Sequence, residues 1–74
     1  MKNDNATAAI AANFYALDTL LRQAAARVAE ASQYLDRGNN NAAIGAVLGL
    51  DDALQDAHAL YRAILTLHRS KRSV

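Results

Sequence analysis

Apolar residues recur down the first half of the chain at alternating spacings of four and three: Ile10, Phe14, Leu17, Leu21, Ala24, Val28, Ala31 and Leu35. Such a repeat keeps one face of an α-helix apolar over many turns. In a coiled-coil frame Phe14, Leu21, Val28 and Leu35 occupy a positions, and Ile10, Leu17, Ala24 and Ala31 occupy d positions. The pattern predicts a first helix over about 6–36, with Asp4 or Asn5 as its N-cap. Gly38 stands where a left-handed C-terminal glycine belongs. Asn39, Asn40 and Asn41 follow as a polar turn, and Asn40 or Asn41 is suited to cap a second helix. A link this short, over 38–41, joins antiparallel neighbours.

The second helix is predicted over about 42–69, and two seams run along it. One places Val47, Leu54, Tyr61 and His68 at a, with Ala43, Leu50, Ala57 and Ile64 at d. The other runs through Ala46, Leu50, Ala53, Ala57, Leu60, Ile64 and Leu67. With Leu65, they form an apolar face wide enough to be covered from two directions. A lone hairpin offers one direction, so the second falls to another chain. Gly45 and Gly49 lie four apart within this helix. They permit close approach, or they break it ahead of Asp51 and Asp52. The period passes through without a phase shift, which favours a continuous helix.

Composition narrows the picture. Among 74 residues there are eighteen Ala, three Gly and no Pro, Cys or Trp. Alanine is the best helix former, and a β protein would need turn residues every ten positions or so. The expected class is all-α: a single domain over 1–74, an antiparallel two-helix hairpin dimerising into a four-helix bundle. Below about 70–80 residues one core rarely supplies more than about 3–5 kcal/mol. Without disulfides or an evident metal site, a homodimer is the natural staple. The expected dimer and core residues are Phe14, Leu17, Leu21, Val28, Leu35, Val47, Leu50, Leu54, Ala57, Leu60, Tyr61, Ile64 and Leu67.

Charge is unevenly spread. Residues 1–61 hold Lys2, Arg22, Arg27, Arg37 and all seven acids, a net of −3, whereas residues 62–74 hold Arg62, Arg69, Lys71 and Arg72, a net of +4. Those four cations offset a helix dipole or contact nucleic-acid phosphate or a protein partner. No aromatic residue is interleaved in the tail (70–74) to stack on bases. Tyr15 points off the seam and, with Ala12 and Asn13, could mark a contact patch.

Chemistry has little to work with. Asp52 and Asp56 share a face, but His58 lies about 200° from Asp56 around the axis, so the three are not a ligand set. No His-Glu-x-x-His motif, phosphate-binding glycine loop or Ser/His/acid arrangement occurs. The expectation is no enzyme and no cofactor. The polar start argues against a signal peptide, and the uncharged run Ala42 to Leu50 is too short to span a bilayer, so no membrane role and a cytoplasmic location are expected.

A hairpin of this length, with alanine layers in its heptads, resembles the repressor-of-primer (Rop) family. Leu60-Tyr61-Arg62 is similar to a stretch of that family's second helix. The resemblance implies two copies in an antiparallel four-helix bundle that regulates by binding RNA. In that family RNA contacts a polar and basic face of helix 1 around an exposed Phe. Here Phe14 lies on the apolar seam, and the cations gather at the C-terminal end instead. The chain thus reads as a small regulatory or adaptor protein with a partner of unknown identity, or as a nucleic-acid-binding regulator using its basic end.

Overall fold

The structure is a computed structural model that describes the backbone of residues 2–73 and the side chains of residues 5–70. It is all helical, with no strand among the described residues. Three helices follow one another: α1 (Lys2–Asp36), α2 (Asn40–Ala46) and α3 (Leu50–Ser73). Both α2 and α3 pack against α1, which makes the chain a helical hairpin. The molecule measures 56 × 14 × 13 Å. A 35-residue helix rising about 1.5 Å per residue spans nearly that whole length.

The turn forms as the glycine predicts. Gly38 has φ +76°, in the left-handed region. Its N–H donates to the Leu35 carbonyl at 2.9 Å, and the Asn39 N–H donates to the Tyr34 carbonyl at 2.9 Å. These two bonds form a Schellman motif, which satisfies the last carbonyls of α1. The N-cap of the next helix is Asn39, one residue earlier than expected, its side-chain oxygen accepting from the Ala42 N–H at 3.1 Å. Asn40 and Asn41 lie inside the first turn of α2, so the turn covers 37–39 rather than 38–41. At the other end, α1 starts at Lys2, which places Asp4 and Asn5 within the helix instead of at its cap.

The expected continuous second helix is broken. Residues 47–49 form a turn in which the N–H groups of Val47, Leu48 and Leu50 donate to the carbonyls of Ile44, Gly45 and Val47 at 3.1, 3.4 and 3.0 Å. These are three-residue steps in place of α-helical four-residue steps. Gly45 and Gly49 each weaken the helix by up to about 1 kcal/mol against alanine. Asp51 and Asp52 then occupy the first turn of α3, where acids suit the positive end of the helix dipole. Gly49 also lies beneath Arg27 of α1, and a Cβ there would stand 2.5 Å from its Nη1. The break keeps the heptad phase: Ala43, Ala57 and Ile64 are buried and Leu50 is half-buried.

The core between the helices is thin. Its buried residues are Ala24, Ala31, Ala43, Ala57 and Ile64, four of the five being alanines. Ile10, Leu17, Leu20, Leu60 and Leu67 flank them half-buried. Small side chains let the two helices approach closely, but they remove little apolar surface from water.

Candidate interaction surface

The two seams of the second half of the chain turn out to face different ways. Ala46, Leu50, Ala53, Ala57, Leu60, Ile64 and Leu67 are each buried or half-buried, so this seam meets α1. On α1 the matching inner face is the d column, Ile10, Leu17, Ala24 and Ala31. The a columns fall to one side. Phe14, Leu21, Val28 and Leu35 on α1, with Leu54 and Tyr61 on α3, remain between 46% and 54% exposed. Val47, in the turn, is half-buried. Because the helices run antiparallel and each turns its inner seam toward the other, both a columns lie on the same side of the hairpin. Together they make one apolar stripe along its length.

The expected interface residues therefore divide into two sets. Leu17, Leu50, Ala57, Leu60, Ile64 and Leu67 hold the hairpin together, while Phe14, Leu21, Val28, Leu35, Leu54 and Tyr61 form the outer stripe. His68 ends the outer column and is exposed. His58 sits one step beyond it, its ring centroid 6.4 Å from that of Tyr61 with the planes tilted by 41°.

Two apolar residues outside both seams are more exposed still: Ile44 at 62% and Leu48 at 74%. Sequence reasoning missed them as surface features. Their one signal was that neither falls on an a or d position. Tyr15 is 77% exposed, as its position off the seam implies.

The polar contacts are local and lie on the outer surface of α1. Asn13 donates to the Ala9 carbonyl at 2.8 Å, and Thr19 to the Tyr15 carbonyl at 3.1 Å. Arg22 donates to Asp18 at 2.8 Å, one turn apart. The Asp18 hydrogen bond, and after it the Asp18 charge, raises the Arg22 guanidinium further above its ordinary value. An exposed pair of this kind adds little to stability. Arg62 and Arg69 are exposed on α3, and Lys71 and Arg72 lie outside the residues whose side chains are described. Asp51, Asp52 and Asp56 are exposed. Among the described residues no three His, Asp or Glu side chains gather as a metal site, no pocket opens, and no helix is long and apolar enough to cross a membrane.

Comparisons with protein families, with curated proteins and with solved structures returned no match. The outer stripe is thus the feature from which function must be argued.

Proposed function

We propose that the chain works as a homodimer, two hairpins closing their apolar stripes against each other into a four-helix bundle, and that this bundle is a small non-enzymatic regulatory or adaptor protein. The observation that carries the dimer is the half-exposed stripe of six large apolar residues beside a core of alanines. Surface area supports it. The hairpin exposes 5596 Å², whereas a folded monomer of 7.9 kDa exposes about 4,400 Å². Covering that excess on both copies would bury about 2,400 Å², within the range of obligate homodimer interfaces.

Binding of a further macromolecule would use the outer faces of the bundle, with a protein as the favoured partner. A nucleic-acid-binding regulator is the second reading. Exposed Arg62 and Arg69 favour it, on a stretch where residues 57–70 contain no acid.

Sedimentation equilibrium at micromolar concentration tests the dimer: a mass near twice 7.9 kDa is expected, and a fully helical monomer refutes it. Salt separates the two functional readings. Phosphate contacts would make affinity for mixed RNA and DNA fall steeply between about 50 and 200 mM salt. Absence of binding at low salt leaves the protein partner.

A further inference from the structure

The proposed homodimer leaves open how the two hairpins face each other, and the stripe itself carries the answer. Counting heptads outward from the turn brings the a columns level as Val28 with Val47, Leu21 with Leu54, and Phe14 with Tyr61. The stripe is therefore graded: small β-branched residues near the turn, leucines at the middle, aromatics toward the open end. Two copies with their turns at the same end would stack aromatics on aromatics and valines on valines, one layer overfilled and another underfilled. Interiors pack at nearly constant density, so both faults are destabilising.

We infer that the hairpins pair with their turns at opposite ends, the two-fold axis passing through the Leu21–Leu54 layer. Phe14 and Tyr61 of one copy then fill the space above Val28 and Val47 of the other. The inference rests on the proposed dimer and fixes its orientation and register.

Two independent features agree with it. The first is the column beside the stripe on α2 and α3, which reads Ile44, Asp51, His58, Leu65. A two-fold axis at the Leu54 layer lays this column against its own reverse. Exposed Ile44 then meets Leu65 of the second copy, and Asp51 meets His58. The opposite orientation would lay Ile44 against Ser32 of the second copy.

The second is charge. The turn half of the hairpin, residues 19–56, carries three cations and five anions, a net of −2. The open half, residues 1–18 and 57–74, carries five cations and two anions, a net of +3. Turns at opposite ends place each positive half beside a negative one, and turns at the same end place like beside like.

Because the chain has no cysteine, a single one introduced at exposed Ser70 takes a spin label specifically. Ser70 is about 24 Å along the axis from Leu54 at about 1.5 Å per residue. The proposed dimer sets the two labels about 50 Å apart. Turns at the same end would set them about 20 Å apart, given interhelical spacings of 8–10 Å. Pulsed dipolar spectroscopy on Ser70→Cys, with the mass of the labelled sample measured in parallel, decides. A main distance near 50 Å supports the inference, and a dimer with a main distance below about 30 Å overturns the orientation alone. A monomeric mass with no dipolar signal overturns the dimer and the orientation with it.

Discussion

At the scale of single residues, the most informative is Leu54. It is 49% exposed in the hairpin, and a surface substitution at such a site would ordinarily change stability by no more than about 0.5 kcal/mol. In the proposed dimer it lies at the centre of the interface, where an unpaired charge costs several kcal/mol. Leu54→Asp should therefore abolish association, and with it most of the helicity, as read by sedimentation and circular dichroism together. A variant that stays helical as a monomer would show that the hairpin stands without a second copy. Gly38 offers a prediction independent of assembly. At φ +76° any Cβ is strained, although the space around it is open. Gly38→Ala should cost about 1 kcal/mol in chemical denaturation. Next to it, Asn39→Ala removes the cap on Ala42 and should cost about 1 kcal/mol as well.

At the scale of elements, the sequence made most of the hairpin legible. The four-three spacing located α1 and its end, and Gly38 located the turn. Three consecutive asparagines hid the cap, because each has the same short oxygen, and the choice among them is made by where the Schellman turn leaves the chain. The break at 47–49 was hidden for a different reason. Side-chain periodicity reports which face is apolar, and that period survives a turn of three-residue bonds. Only the glycines and the following acids hinted at it. The outer stripe was half legible: both seams could be found, but periodicity does not say which seam meets the neighbouring helix. Gly45 gives the element-scale prediction. It is helical, with nothing within 4 Å of an added Cβ. Gly45→Ala should stabilise by up to about 1 kcal/mol, which would raise the melting temperature by roughly 4–8 °C for a domain of this size.

At the scale of the molecule, shape carries the lesson. The radius of gyration is 17.0 Å, against about 11 Å for a globular domain of 74 residues. An elongated hairpin has too much surface for its volume, and pairing two side by side thickens the body without lengthening it. If folding and pairing are one event, the melting temperature must depend on protein concentration. A tenfold increase is worth about 1.4 kcal/mol per dimer and should raise it by roughly 3–6 °C. Calorimetry over a hundredfold concentration range would check this, and a constant melting temperature would show that the hairpin melts alone.

The alanine core has a consequence for which changes the chain can absorb. In most small proteins the interior is vulnerable to truncation, since losing a large side chain leaves a void. Here Ala24, Ala31, Ala43 and Ala57 have almost nothing to lose. Their vulnerability is to growth, because one added branch would wedge the helices apart and tilt the whole outer stripe out of register. Exhaustive substitution should thus reveal two opposite intolerances a few ångströms apart: a seam that rejects bulk, and beside it a stripe that rejects polarity.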